Sequence, residues 1–169
     1  MVVDQGGEVP GYTVPVHRAL TEPILLGGAP IQGLPPFRIA RAGIGYVPEG
    51  RGIFPNLSVR DNIFMGREIM GPAGVDFAEE ERQCRKLMEE LEEEIDPLTP
   101  VEELRLGQQQ IVEIARALSV DSRILIMDEP TSALSATEVE VLFKVIRDLT
   151  AKGVSIVYIS HHLEEALQI

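Results

Sequence analysis

Two carboxylates side by side, Asp128 and Glu129, follow directly on the apolar run Ile124-Leu125-Ile126-Met127 and precede Pro130. Such a pair can divide labour, one acid organising a hydrated Mg²⁺ and the other polarising a water. Other positions carry matching chemistry. His161 follows the run Val154 to Ile159, and an imidazole beside carboxylates can hydrogen-bond a phosphate and sense its loss. Gly107 stands at the start of a helical stretch, where free backbone N–H groups suit an anion and a glycine allows close approach. Glu49 lies in Pro48-Glu49-Gly50-Arg51-Gly52, a glycine-flanked loop able to reach a ligand. Each also has a plainer reading: a solvated Asp-Glu turn, a structural histidine at a strand end, an ordinary helix start, a surface loop.

The elements that must position these groups follow from periodicity and punctuation. Ile124 to Met127, ended by Arg123 and Pro130, reads as a strand buried on both faces, which delivers Asp128 and Glu129 to the carboxyl edge of a sheet. Ser135-Ala136-Thr137-Glu138 has the form of a capping box opening a helix through Leu149, closed by Lys152-Gly153. Val154 to Ile159 is the next strand. The two strands and the helix between them form a β-α-β unit, whose right-handed crossover makes the strands parallel and brings His161 to the edge that holds the carboxylates. Ile44 to Val47 is another short buried strand, preceded by a helical turn over Phe37 to Ala42.

Between these strands the chain is expected to be helical. Ser58 caps a helix running to about Gly66, with Asp61 at its third position, and Gly71 to Gly74 interrupts the chain. Phe77, Cys84, Leu87, Met88, Leu91 and Ile95 fall on one stripe of a helix spanning Phe77 to Ile95, with carboxylates over most of its other face. Glutamates crowd its C-terminal half, where the helix dipole disfavours them, a conflict a neighbouring basic group would relieve. Pro97 and Pro100 mark a connection, and Ile111, Ile114, Ala115 and Leu118 form the stripe of the helix that Gly107 opens. Upstream, Ile24 to Leu26, a Gly27-Gly28 turn and a second extended piece predict a hairpin. Residues 1–20, His17 among them, show no sustained period, and a further helix is expected after His162.

Composition sets the bounds. The 169 residues are 44% hydrophobic and 25% charged, enough for one domain with a core. A net charge of -12 argues against a nucleic-acid surface, which needs clustered Lys and Arg, and points to proteins or a metal-bridged nucleotide as partners. The single cysteine, Cys84, cannot form an internal disulfide and belongs on an apolar stripe as a small core residue, which fits a reducing cytosol. No run has the length of a transmembrane helix, and the start lacks the basic and apolar regions of a signal peptide.

Taken in order, Thr21 to Ile169 resembles the ATP-binding subunits of ABC transporters. ILIMDEP is similar to the family's Walker B strand, LRLGQQQ to its signature loop, SALS (Ser132 to Ser135) to its D-loop, YISHH to its switch-histidine segment, and YVPEGR lies where the family has its Q-loop. The resemblance implies a partial P-loop NTPase fold: an α/β domain over 21–169 with a parallel sheet and a helical subdomain, about 56–119, inserted between Q-loop and signature. It implies ATP and Mg²⁺ as cofactors. Asp128 and Glu49 then face the metal, Glu129 polarises the attacking water, and His161 meets the γ-phosphate. Arg105, Leu106, Gly107, Gln108 and Ser135 would bind nucleotide across a dimer of ATP-binding subunits. Membrane permease subunits are the further partners, which places the protein peripherally on the cytoplasmic face of the inner membrane.

FPNLSVRDNIFMGRE, GQQQIVEIARAL and IVYISHHLEEAL are similar to importers of simple sugars, while PEGRGIFPNLSV also resembles importers of branched-chain amino acids. The departures matter equally. Arg105 and Leu106 replace the signature Ser and Gly, Ser135 replaces the D-loop aspartate, and Glu49 replaces the Q-loop glutamine. Nothing in the chain fits G-x-x-x-x-G-K-[ST], whose backbone cradle and lysine hold phosphates, and Lys86, Lys144 and Lys152 all lie far downstream. The resemblance implies a P-loop strand beside the Walker B strand, so that this chain lacks a central strand and is inactive on its own. Two other readings remain: a non-catalytic module that docks on a permease or on a complete ATPase partner, and a soluble ABC ATPase unconnected with transport.

Overall fold

The computed structural model describes residues 24–49, 52–120 and 122–162. The expectations for residues 1–20, for His17 and for a helix after His162 lie outside them, as do Gly50 and Arg51 of the loop that carries Glu49. The predicted hairpin is present as β1 (Leu25–Leu26) and β2 (Ala29–Pro30), joined by Gly27 and Gly28 at φ +57° and +84°. Two consecutive positive φ angles match the twist of a two-residue hairpin and favour glycine at both places. After α1 (Pro36–Arg41), which starts on a proline, comes β3 (Ile44–Val47). α2 (Val59–Phe64) begins at Ser58, whose hydroxyl accepts from the Asp61 N–H at 3.1 Å as the sequence predicts. A small hairpin of β4 (Met70–Gly71) and β5 (Gly74–Val75) fills the glycine-rich interruption.

α3 (Phe77–Glu90) is shorter than the predicted span to Ile95. Its apolar stripe continues beyond the helix: Leu91 and Ile95 are buried although the backbone turns, with Glu92 at φ +57° and the Glu93 N–H donating to the Met88 carbonyl at 2.9 Å. Periodicity reports burial, and here burial outlasts the helix. The basic partner expected for the crowded glutamates is in the chain itself. After the short 3₁₀ turn Val101–Glu103, α4 (Leu106–Leu118) and β6 (Ile124–Asp128), comes α5 (Ala136–Ala151), whose Lys144 pairs with Glu92. Lys152, just beyond α5, donates to the Glu90 carbonyl at 2.9 Å and so satisfies the C-terminal end of α3. Cys84 is fully buried, and burial pushes its thiol up to about 12, the behaviour of a core residue rather than a nucleophile.

β7 (Ser155–Ile159) completes a three-stranded parallel sheet in the order β3-β6-β7. Ile44 pairs with Ile124, and Asp128 with Ile159. One face, with Val47, Leu125, Met127 and Tyr158, is buried in the core. Gly45 shares that face because α4 ends against it: a Cβ there would lie 2.9 Å from Ser122 Oγ, 3.0 Å from Leu125 Cδ1 and 3.1 Å from Ala117 Cβ. Gly45→Ala is therefore expected to destabilise the chain by about 1–3 kcal/mol through overpacking, read as a fall in the urea midpoint with an unchanged slope. A midpoint equal to that of the parent would show that α4 can give way.

The register corrects one expectation from the resemblance. β6 is the central strand and is hydrogen-bonded along both edges, to β3 and to β7. No place beside it is left for a phosphate-loop strand, and a further parallel strand can join the sheet only at the outer edge of β3 or of β7.

Candidate functional site

The carboxyl ends of β6 and β7 meet at Glu129 and His161. The Glu129 N–H donates to the Ile159 carbonyl at 2.9 Å, and its Oε1 accepts from the His161 backbone N–H at 2.8 Å. These bonds hold Glu129 at φ +46°, a left-handed conformation costly for a residue with a Cβ. Strain of that sort persists only where the surroundings over-determine it, and here one bond to Ile159 of β7 and one from His161 just beyond it do so. Glu129 Oε2 lies 2.8 Å from His161 Nδ1 in a direction that is not that of a hydrogen bond, and Oε2 is buried without a hydrogen-bond partner. The glutamate side chain is 13% exposed and the histidine ring 68% exposed, so the imidazole faces solvent while the acid is largely withdrawn from it.

Asp128, on the adjacent position of β6, accepts a hydrogen bond from the Tyr46 hydroxyl at 3.1 Å. Tyr46 stands on β3 across from Ile126, on the sheet face that bears Asp128, and sequence reasoning missed it because nothing local marks it. Partial burial, this hydrogen bond, and the charges of Asp128 and Glu49 together push its phenol above the usual value. Glu49 is thus near the site, with an exposed side chain. Its loop is fastened to α4 one step further on: the Gly52 N–H donates to Glu113 Oε1 at 2.7 Å and the Gly52 carbonyl accepts from Arg116 Nη1 at 2.6 Å.

The predicted anion-binding helix start is differently engaged. Arg105 is the N-cap of α4, with its own N–H donating to Gln108 Oε1 at 3.3 Å. Gly107 N–H donates to Glu138 Oε1 at 2.9 Å, and a Cβ on Gly107 would lie 2.9–3.1 Å from the Glu138 side chain. The glycine therefore admits a carboxylate of the same chain. Glu138 Oε2 accepts from both the N–H and the hydroxyl of Ser135, at 2.9 and 2.7 Å, which bears out the capping box and ties α4 to the turn after β6. Bonds from the Ser135 backbone and hydroxyl and from Gly107 hold the Glu138 carboxyl below its ordinary range.

Glu129 with His161, Asp128 with Tyr46, and Ser135 with Glu138 and Gly107 are thus brought together, and Leu106 lines one small cavity with Glu129. Arg105, Gly107 and Gln108 border a separate cleft with Glu138. Among the described residues no group of three or more His, Cys, Asp or Glu is arranged to hold a metal ion. Asp128 still fits Mg²⁺, an ion that keeps most of its waters and is often held by one or two carboxylates. A phosphate cradle does not fit the residues present, since the sequence holds no G-x-x-x-x-G-K-[ST] loop. A larger cleft of about 640 Å³ lies between α1, β3 and α4, lined mainly by apolar side chains such as Ile39, Ile44 and Ile126, and none of the predicted site residues borders it.

Comparison with known proteins matches residues 16–132 to the family described as ABC transporter. The chain belongs to that family. The ABC chain is 47% identical over 147 residues to a ribose import ATP-binding protein, RbsA, of Rhodopirellula baltica, and 46% identical over 149 residues to a putative ribose/galactose/methyl galactoside import ATP-binding protein of Burkholderia cenocepacia. Each alignment covers 86% of this chain and 29% of the relative. This ABC chain thus spans about three tenths of the length of those relatives. Among solved structures, a post-hydrolysis dimer of an ATP-binding cassette bound to ADP and Pi superposes with a TM-score of 0.66 at 22% identity, over 85% of this chain and 64% of that one. An ADP-bound cassette of another ABC transporter gives 0.67 at 23%, over 83% and 59%. These likenesses establish the fold: an ABC ATPase α/β domain, represented in part. Among the described residues no helix is long and apolar enough to cross a membrane.

Proposed function

We propose that this chain carries the metal-organising and water-polarising half of an ATP site in a subunit that energises an ABC importer of simple sugars. The observation that carries the reading is the fixing of Glu129 by β7, which leaves one carboxylate oxygen, Oε2, without a hydrogen bond at the carboxyl edge of the sheet. Asp128, steadied by Tyr46, would hold Mg²⁺ through its waters, with Glu49 as a second carboxylate toward the ion. Glu129 would accept a proton from water, and His161, fixed through its own N–H, would present its exposed ring to a phosphate oxygen. Arg105, Leu106, Gly107, Gln108 and Ser135 would face nucleotide held by another subunit of a dimer, with the helical region of about 56–119 turned to permease subunits at the cytoplasmic face of the inner membrane. Mg-ATP supplies the phosphoryl group whose transfer to water releases energy. The names of the ribose-import relatives support the choice of sugar over branched-chain amino acids.

A second reading, a docking module without catalysis, is favoured by the missing phosphate loop. One experiment separates them. The chain is mixed with a segment of a relative that carries G-x-x-x-x-G-K-[ST], and Mg-ATP turnover is measured. Turnover that falls about 10²–10⁴-fold in Glu129→Gln, with nucleotide still bound, supports the catalytic reading. Equal turnover in both proteins removes Glu129 from the chemistry, and no turnover in any combination favours the module.

A further inference from the structure

A cavity of about 70 Å³ lies where three parts of the site converge: Pro48 at the root of the Glu49 loop, Leu106 and Gln110 on α4, and Glu129 and Ser132 in the turn after β6. It is far below the several hundred Å³ of a small-molecule pocket, yet has room for one or two waters at about 30 Å³ each. Two of the residues that line it each carry an unmatched polar atom, one a donor and one an acceptor. Gln110 Nε2 and Glu129 Oε2 are both buried side-chain atoms without a hydrogen-bond partner, and both residues line this cavity. Buried polar groups are almost always satisfied, by protein or by ordered water. A water meets both needs at once, accepting from the amide and donating to the carboxylate, and it still bridges if the amide is turned over, because it donates as well as accepts.

We infer that this cavity is a water site joining Gln110 to Glu129, and that Gln110 is a positioning residue for the Glu129 carboxylate. The other Glu129 oxygen is already fixed by the His161 N–H, so the bridge defines the second. Gln110 sits one turn after Gly107 on α4, and the bridge therefore links the helix start to the carboxylate across a junction that β-strand hydrogen bonds do not span. The water site goes beyond the proposed function and stands whether or not Glu129 acts as a base.

The test uses the 169-residue chain and Gln110→Met, which keeps length and bulk and removes the amide. A crystal structure of the parent at a resolution that shows ordered water is expected to place a peak within hydrogen-bond distance of both Gln110 and Glu129. In solution, the Gln110 side-chain amide protons should show a cross-peak to a long-lived water. Gln110→Met should lose the peak and spread the Glu129 carboxylate over several orientations, with the melting curve little changed. A parent structure in which Gln110 bonds Glu129 directly, or shows no peak between them, overturns the inference. So does a Glu129 carboxylate equally ordered in Gln110→Met. Should the variant not fold, the parent density and the parent cross-peak decide alone.

Discussion

Titrated with Mg-ATP, the 169-residue chain is expected to give no heat of tight binding and no turnover, with a Kd weaker than about 1 mM, or less than about 4 kcal/mol of binding free energy. The reason lies in where its positive groups are spent. A phosphate loop holds the β- and γ-phosphates with a nest of backbone N–H groups and a lysine, and neither is present. Lys144 pairs with Glu92, Lys152 donates to the Glu90 carbonyl, and Lys86 lies 3.6 Å from Glu90 Oε1. The helix start predicted to suit an anion has its Gly107 N–H taken by Glu138. A net charge of -12 adds a repulsive field against a tetra-anionic nucleotide, and Asp128 can recruit Mg²⁺ only weakly through a single carboxylate. Calorimetry showing micromolar affinity for Mg-ATP would mean that other groups of this chain grip phosphate, and the half-site description would fall.

Asn62→Ala is expected to cost about 2–3 kcal/mol, a large share of the roughly 5–15 kcal/mol that stabilises a domain. The side chain is completely buried. Its Oδ1 accepts from the Phe54 N–H at 2.7 Å, and its Nδ2 donates to the carbonyls of Phe54, Leu57 and Ser58 at 2.9, 3.2 and 3.0 Å. One amide thus serves both backbone groups of Phe54 and the carbonyls that lead into α2. Truncation leaves the Phe54 N–H without its partner and opens a void, while the carbonyls of Phe54, Leu57 and Ser58 keep the backbone N–H groups of Leu57, Val101 and Asn62. Urea unfolding should show a lower midpoint at constant slope. Asn62→Asp, which keeps the acceptor but loses both amide donors and buries a charge, should be no better. A loss below about 1 kcal/mol would mean that water reaches the loop and replaces the amide.

Much of this was legible in the sequence where the cause is local. The apolar run ending in Asp128-Glu129, the Ser58 and Ser135 caps and the Gly27-Gly28 turn each follow from a few adjacent residues, and the structure has all of them. What depends on packing between distant elements was not. Tyr46 meets Asp128, Glu138 meets Gly107 and Glu113 meets Gly52 because strands and helices settle at particular distances, and no period or spacing encodes that. The end of α3 escaped for the opposite reason, since its apolar stripe runs on past the helix into a turn that is equally buried. The neighbours of β6 were misjudged because they were carried over from the resemblance, whereas strand order is settled by pairing between distant segments.

The filled edges of β6 also set a sequence of events in time. Its partners are remote along the chain, Ile44 on one side and Ser155 on the other, and closing such loops is slow compared with forming the helices between them. Glu129 has its N–H held by Ile159 and one carboxylate oxygen held by His161. The helices can therefore form while the carboxylate pair is still unframed, and the bonds that fix Glu129 are expected to form late in folding, when β7 docks.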